Sequence, residues 1–235
     1  FWKNIDKNDN DINNVLLPVK PSECAFWAYA SGEQSVGHPC VMFKQNEIKR
    51  LGGYSTKYKI AMDSDLWFRC ISEGFHFANV PEVLLSYRIH SKQISKNQQT
   101  EVEHNNALSA FLSEQLSQYI EPDLAALIRP NNFNGNYFHS EKQIEEMFRL
   151  KERSLEVFFK KYKLIPIEIV RCCITLWESL FHLRKLKIVS QLTMIINNTV
   201  FCCNLIQTQL KKKNVFYIPY LILFVINIPK ILLIK

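Results

Sequence analysis

The pattern of apolar residues changes abruptly near residue 100, and this change limits the folds that the chain can adopt. Residues 36–95 alternate short apolar runs with short helical patterns, which is typical of α/β or α+β structure. From residue 101 onward the apolar residues instead recur every three or four positions over long segments. The sequence therefore predicts an α/β region, with a partial mixed sheet and helices, followed by an α-helical C-terminal region.

Helix-stop glycines place three short helices in the first region. One helix is predicted over 24–32, where Gly32 ends it, and another over 46–52 with Asn46 as its cap. A third runs over 63–73, begins with Asp63 or Ser64 as N-cap and ends at a glycine.

Three strands are predicted in the same region, over 38–45, 75–80 and 83–90, from their apolar runs. Residues 1–22 are polar and rich in Asn and Asp, and they predict a loop. Because three strands make an incomplete sheet domain, we expect further strands upstream of Phe1, which makes this chain the C-terminal part of a longer protein.

Long helical patterns follow over 102–120 and 140–163, then from Pro166, and again over 188–210. These patterns predict three parts: residues 1–100 form the α/β region, 101–213 a helical extension and 214–235 an apolar tail.

The tail carries the positive charge of the chain. From residue 161 onward there are 11 Lys and Arg against 2 Asp and Glu, whereas residues 1–160 have a net charge of −2. The apolar segment after Lys213 is about as long as a bilayer span, but Pro219, Asn227 and Pro229 interrupt it. A segment lying on a membrane surface is favoured over a nucleic-acid site, and a buried terminal helix is the structural alternative.

Seven cysteines are present, none in a C-x-x-C pattern, and two pairs are adjacent in sequence. Adjacent cysteines are poorly placed for disulfides or zinc, so the pattern predicts free and mostly buried thiols in a reducing compartment.

Asp63 and Asp65 have two interpretations when their spacing alone is considered. As structure, one carboxylate caps the following helix and the other lies favourably in its first turn. As chemistry, a carboxylate at the start of a helix can hold a substrate hydroxyl or accept its proton. The spacing alone favours the structural interpretation.

The motifs around Asp63 favour the chemical interpretation, because five blocks occur in a fixed order with short gaps. The five blocks are His38 to Lys44, Gly52–Gly53–Tyr54, Asp63 to Arg69, Gly74 to Arg88, and His90 to Ser95. They resemble the C-terminal half of the catalytic domain of family 2 glycosyltransferases, which are inverting nucleotide-sugar enzymes with a GT-A fold. The resemblance covers about residues 15–96, and Met62 departs from it because that position is often acidic in the family.

The resemblance implies that Asp63 is the general base, which takes the proton of an acceptor hydroxyl as that hydroxyl attacks the donor sugar. It implies that Asp65 supports the helix start or binds an acceptor hydroxyl. Trp67 is expected in the core, with stacking on a sugar ring as the alternative.

The same resemblance places Arg88 and His90 near the donor diphosphate, where Arg88 would offset phosphate charge and His90 would bind a phosphate oxygen or the metal. Ordinary hydrogen bonding at a strand end is the competing interpretation for this pair. His38 is interpreted as a structural or an acceptor-side residue. The remaining histidines, at 76, 104, 139 and 182, are expected to be surface or packing residues.

No metal site is predicted within this chain. A divalent metal, Mg or Mn, is implied for the full-length enzyme, with its ligands mostly in the preceding half of the domain. Asp9-Asn10-Asp11 has the D-x-D spacing of such ligands, but no apolar strand leads into it, so it predicts a loop.

Together these features predict a fragment of a glycosyltransferase that transfers a sugar from a nucleotide-sugar donor to a glycan or lipid-linked acceptor. Its expected location is cytoplasmic, peripheral to the inner membrane face through the tail. The alternative is a non-catalytic, membrane-associated helical protein that retains a truncated transferase segment. The reading frame upstream of Phe1 separates the two hypotheses.

Overall fold

The structure is a computed structural model that describes residues 1–94, 98–129, 140–178 and 188–213. It is an α/β region followed by a helical region, which confirms the predicted fold class. The strands are β1 (Trp2–Ile5), β2 (Asp11–Val15) and β3 (Leu85–Arg88). The helices of the first region are α1 (Pro21–Ser31), α2 (Gln45–Arg50), α3 (Met62–Ser72), α4 (Gln98–Leu116) and α5 (Pro122–Ala126). Those of the second region are α6 (Glu141–Lys161), α7 (Pro166–Glu178) and α8 (Ile188–Lys211).

The sheet has the strand order β2-β1-β3 within the described residues, and it contradicts the predicted loop over 1–22. β1 and β2 form an antiparallel hairpin, and β1 pairs in parallel with β3, so that Trp2 lies opposite Leu85. The hairpin turn is built by the Asp6 carboxylate, which accepts the backbone N–H groups of Asn8 and Asn10. Asn- and Asp-rich sequence therefore marks a turn here, with short strands on both sides.

Two of the predicted strands are wrong. Over 38–45 the chain forms a short 3-10 helix, His38–Cys40, and then a loop in which Met42 is 97% exposed. Pro39 lacks the N–H that a strand needs, which accounts for the difference. Over 75–80 the backbone makes no strand ladder, and Asn79 instead donates its side-chain amide to the carbonyls of Pro18 and Ser35. The third strand is confirmed over Leu85–Arg88, shorter than predicted.

The predicted helices are confirmed within a few residues at each end. α1 ends at Gly32 in the left-handed conformation, with φ 63°, and Gly74 follows α3 with φ 77°. α6 begins with a capping box in which Ser140 and Gln143 exchange bonds. The predicted cap of α3 is wrong, because its N-cap is Ala61 and no side chain of its own first turn caps it.

The chain divides into two compact units. The first comprises residues 1–28 and 32–126, and there Leu66, Trp67 and Cys70 on the buried face of α3 form one hydrophobic cluster with Val36 and Ile48. The second comprises residues 29–31 together with those from 127 onward, and it holds α6, α7 and α8.

All seven cysteines are free and five are buried, which confirms the prediction of mostly buried thiols. Within the described part of the chain, no helix is both long and apolar enough to cross a membrane. The predicted tail over 214–235 lies outside the described residues.

Candidate active site around Asp63

Asp63 lies in the first turn of α3 with its carboxylate fixed on one side. Its Oδ1 accepts the backbone N–H of Ser64 at 2.8 Å, and its Oδ2 lies 3.9 Å from Nδ1 of His38. The Asp63 side chain is 24% exposed. One carboxylate oxygen is therefore committed to the backbone, and the other faces a histidine at a distance too long for a hydrogen bond.

A cavity of about 320 Å³ opens beside this carboxylate. One wall is a face of the sheet, where Trp2 and Leu85 lie opposite each other across the β1–β3 pairing. The other wall is the loop after α1 together with the start of α3. The lining residues are Trp2, Leu17, Glu33, Gln34, Val36, Gly37, His38, Pro39, Asp63, Leu85, Tyr87 and His104. This mixture of aromatic rings with carboxylate, amide and imidazole groups is suited to a polar ligand that has flat apolar faces.

His38 links Asp63 to Tyr54. Its Nε2 lies 2.9 Å from the hydroxyl of Tyr54, and the two rings are in contact. Burial, followed by the negative charge of Asp63, raises the pKa of Tyr54, so the phenol stays protonated at neutral pH. A neutral hydroxyl can either donate to His38 or accept from it, and the histidine is thereby held facing the carboxylate.

Asp65 points away from this group and pairs with Arg69 at 2.8 Å, one helical turn along α3. The Arg69 guanidinium also donates to the backbone carbonyls of Leu51 and Gly53, each at 2.8 Å. Gly52 and Gly53 have positive φ angles of 83° and 70°, which glycine adopts without strain. The Asp65–Arg69 pair therefore holds the Gly52–Gly53 turn, and this turn positions the next residue, Tyr54.

Trp67 lies in the core with 2% of its surface exposed. Its ring contacts those of His38, Phe43 and Phe77. Its indole N–H has no hydrogen-bond partner within the described residues. Trp67 thus supports the His38 ring from the interior.

Arg88 and His90 lie at the end of β3. Arg88 donates to the backbone carbonyl of Asp6 at 2.7 Å and forms an ion pair with the carboxylate of Asp9. It therefore holds the hairpin turn between β1 and β2. His90 is exposed just beyond the strand. The structure brings His38 to Asp63, whereas neither Arg88 nor His90 is among the residues that line the cavity.

Two residues of α4 contact the same helix start and were not predicted as site residues. Oε2 of Glu103 accepts the backbone N–H groups of Ile60 and Ala61 at 2.8 and 3.1 Å. These bonds, led by the one from Ile60, lower the pKa of Glu103. The carboxylate that stabilises the start of α3 therefore comes from α4.

His104, expected to be a surface or packing residue, is buried and borders the cavity. Its Nδ1 lies 2.9 Å from the Ser64 hydroxyl, which also accepts a bond from Gln34, and its Nε2 lies 2.9 Å from the Gly32 carbonyl. Ser64 and His104 are 40 positions apart, and no rule based on sequence spacing predicts a contact between them. The available signal was the pair of adjacent polar residues Glu103 and His104 in a predicted amphipathic helix.

Metal ligands are not grouped in the described residues. No cluster of three or more His, Cys, Asp or Glu side chains is placed there to hold a metal ion.

Comparison with known proteins gives three curated glycosyltransferases that are similar to this chain. A galactosyltransferase of Escherichia coli, named UDP-Gal:alpha-D-GlcNAc-diphosphoundecaprenol beta-1,3-galactosyltransferase, is 33% identical over 87 residues, 37% of this chain and 31% of the relative. An O-antigen biosynthesis glycosyltransferase of Escherichia coli, WbnJ, is 39% identical over 92 residues, 38% of this chain and 30% of the relative. An uncharacterised glycosyltransferase of Methanocaldococcus jannaschii is 35% identical over 88 residues, 36% of this chain and 29% of the relative.

The chain thus spans about a third of the length of these relatives. No protein-family model matches it, and no solved structure matches it. The three similarities, each at 33–39% identity, support a glycosyltransferase family for this chain.

Proposed function

We propose that this chain forms the acceptor side of an inverting glycosyltransferase of family 2 with a GT-A fold. The full-length protein would transfer a sugar from a nucleotide-sugar donor to a glycan or lipid-linked acceptor. Two similar proteins support this class of reaction by their names, one a galactosyltransferase acting on a diphosphoundecaprenol-linked sugar and the other an O-antigen enzyme. The observation that carries the proposal is the cavity beside Asp63.

In the proposed reaction Asp63 accepts the proton of an acceptor hydroxyl. The hydroxyl oxygen forms a bond to the anomeric carbon of the donor sugar, the bond from that carbon to the nucleotide diphosphate breaks, and the configuration inverts. The proton passes to Oδ2, because Oδ1 is engaged by the Ser64 N–H. A carboxylate oriented in this way reduces the freedom that is lost when the acceptor binds.

The cavity is the proposed acceptor subsite. Trp2 and Tyr87 offer apolar ring surface, while Glu33 and Gln34 offer hydrogen-bonding groups for sugar hydroxyls. His38, held by the hydroxyl of Tyr54, would orient the acceptor at Asp63. Asp65 and Trp67 would act indirectly, through Arg69 and through the core beneath His38.

The donor side is a proposal that rests on the family resemblance. Arg88 would turn from Asp9 to the donor diphosphate, and His90, which is exposed, would join it. A divalent metal, Mg or Mn, is proposed for the full-length enzyme. The described residues group no three metal-ligating side chains, and the ligands of this metal would lie mostly outside this chain.

A cytoplasmic location at the inner membrane face is also proposed, because a basic, apolar tail would bring the site to a lipid-linked acceptor. Deletion of residues 214–235 should release the full-length protein from membranes. Sedimentation with vesicles containing anionic lipid measures this. Equal sedimentation of the deleted and intact proteins would exclude the tail as the anchor.

Asp63→Asn tests the proposed function in the full-length protein. Because the amide cannot accept the proton, transfer should fall by at least about 100-fold, while nucleotide-sugar binding and the thermal midpoint stay close to wild type. The matched control is Asp123→Asn, which alters an exposed aspartate in the first turn of α5. Transfer by Asp63→Asn within tenfold of this control would remove Asp63 as the base.

A further inference from the structure

Helix α4 reaches the start of α3 with two consecutive side chains, Glu103 and His104. Each is only 6% exposed, although both are polar. Both residues lie beyond residue 96, where the resemblance to family 2 glycosyltransferases ends. Their contacts therefore call for an explanation that the motifs do not provide.

Glu103 fixes the backbone immediately before Asp63. The first N–H groups of a helix have no partner within the helix, and the N-cap residue Ala61 has no side chain able to accept one. Oε2 of Glu103 accepts the N–H of Ala61 and the N–H of Ile60, which precedes it. Oε1 of Glu103 accepts the side-chain amide of Gln99 at 3.1 Å. The negative charge also lies favourably at the positive end of α3.

His104 fixes the residue immediately after Asp63. Because the Gly32 carbonyl can only accept, Nε2 of His104 carries the proton and donates to it. In the tautomer with the proton on Nε2, Nδ1 is an acceptor and receives a hydrogen bond from the Ser64 hydroxyl. Ser64 in turn donates its backbone N–H to Oδ1 of Asp63. Asp63 thus lies between two places where α4 contacts the chain, which are Ile60–Ala61 before it and Ser64 after it.

We infer that Glu103 and His104 are positioning residues for Asp63. They hold residues 60–64 so that Oδ2 faces the cavity, and they touch no reacting atom. This inference rests on the proposed function, since it assigns a consequence to the orientation of Asp63. Small displacements of a reacting group are costly in rate, so losing either contact should lower kcat by about 10- to 100-fold and leave the KM for the donor unchanged.

The first experiment compares Glu103→Gln with Glu101→Gln in the full-length protein. Both remove one negative charge from α4, but Glu101 is exposed whereas Glu103 is buried. Hydrogen exchange of the amides of residues 60–64 should become faster in Glu103→Gln only. Initial rates with UDP-galactose and a synthetic GlcNAc-diphospholipid should show the loss in kcat.

A double variant separates positioning from a general structural role. If Glu103 acts through Asp63, then adding Glu103→Gln to Asp63→Asn should lower the residual rate no further. A paired comparison at His104 gives an independent check, even if Glu103→Gln does not fold. Asn keeps an acceptor near the position of Nδ1, whereas Gln keeps a donor near that of Nε2, so His104→Asn should retain more activity than His104→Gln.

The outcomes distinguish the two proposals. Unchanged exchange, unchanged kcat, or a full additive loss in the double variant would overturn the positioning role. If Gln at position 104 retains as much activity as Asn, the role of His104 is likewise overturned. Faster exchange in Glu103→Gln, in a protein where Asp63→Asn keeps its activity, would overturn the proposed base instead.

Discussion

At the scale of single residues, the side chains around Asp63 are coupled through one arginine. The guanidinium of Arg69 bonds to the carboxylate of Asp65 and to the carbonyls of Leu51 and Gly53. The turn that contains Gly53 positions Tyr54, whose hydroxyl bonds to His38. Asp65 is therefore linked to the site through Arg69, and the sequence-based expectation that it supports the helix start or binds an acceptor hydroxyl stays a prediction. The site depends on the planar fork of Arg69, because a single ammonium cannot reach three acceptors with the same geometry.

Arg69→Lys should consequently destabilise the first unit by about 1–2 kcal/mol, because at least one charged hydrogen bond to a partly buried carbonyl is lost. Thermal or urea unfolding measures the change. Arg50→Lys is the matched control, since the Arg50 guanidinium donates to the exposed carboxylate of Glu47 on its own helix and lies over the Phe75 ring. Equal stability of the two variants would contradict the coupling through Arg69.

Gly37 is required because there is no space for a side chain beside it. A Cβ built at this position would lie 2.5 Å from the Trp2 ring, so Gly37→Ala forces the indole or the loop to move. We expect a loss of about 1–3 kcal/mol in the free energy of unfolding, together with a changed cavity wall. In a Trp2→Leu background the same substitution should cost less. An equal cost in both backgrounds would show that the clash is absent.

At the scale of elements, the helices were predictable, whereas one of the three predicted strands was confirmed and two were wrong. Helical periodicity and end signals such as Gly32, Gly74 and Ser140 are local, so the sequence locates the helices to within a few residues. Strand β1 is defined by partners that lie up to 83 positions away, and no local pattern reveals them. Apolar residues over 38–45 predicted a strand, yet Pro39 and the exposed Met42 show that they serve a loop.

In the candidate site, too, residues marked by local sequence motifs were predicted, and residues brought in by packing of distant segments were not. Asp63 and His38 were predicted from motifs and lie together in the structure. Glu103 and His104 were not predicted as site residues, because their roles depend on how α4 packs against α3.

The contact between α4 and α3 should make stability depend on pH. The folded-state pKa of Glu103 is lowered below its usual value of 4.5, so its contribution is present above that pH and is lost as the pH falls through the lower folded value. The difference in thermal midpoint between wild type and Glu103→Gln should therefore shrink below pH 4.5. Calorimetry from pH 6 to pH 3, with Glu101→Gln as control, measures this. A difference that stays constant with pH would contradict the charge effect.

At the scale of the whole molecule, the second unit contains a buried lysine whose pKa is lowered. The second unit buries Lys151 on α6 with 1% of its surface exposed, beside the thiol of Cys202. Burial lowers the pKa of this lysine to about 8, although the Cys202 thiol opposes the shift. The helical unit therefore carries a cost in folding free energy at neutral pH, because it buries a lysine that is charged at that pH.

Lys151→Met should stabilise the helical unit at pH 7 by about 3 kcal/mol, the equivalent of lowering a pKa from 10.5 to about 8. The lysine in the unfolded chain keeps its proton between these pH values whereas Lys151 in the folded chain loses it, so the advantage of the variant over wild type should shrink above about pH 8 and vanish near pH 10.5. Thermal unfolding under reducing conditions measures both trends. Lys160→Met, at an exposed position of α6, is the control and should show neither.

The parallel pairing of β1 with β3 has a consequence for the order in which the protein is made. Trp2 lies in the cavity wall opposite Leu85, so the wall is incomplete until the ribosome has added 83 further residues. At the usual rate of about 5–20 residues per second this takes roughly 4–17 s. During that interval the N–H and C=O groups along one edge of β1 have no partner strand, and the nascent chain presents an open edge to its neighbours.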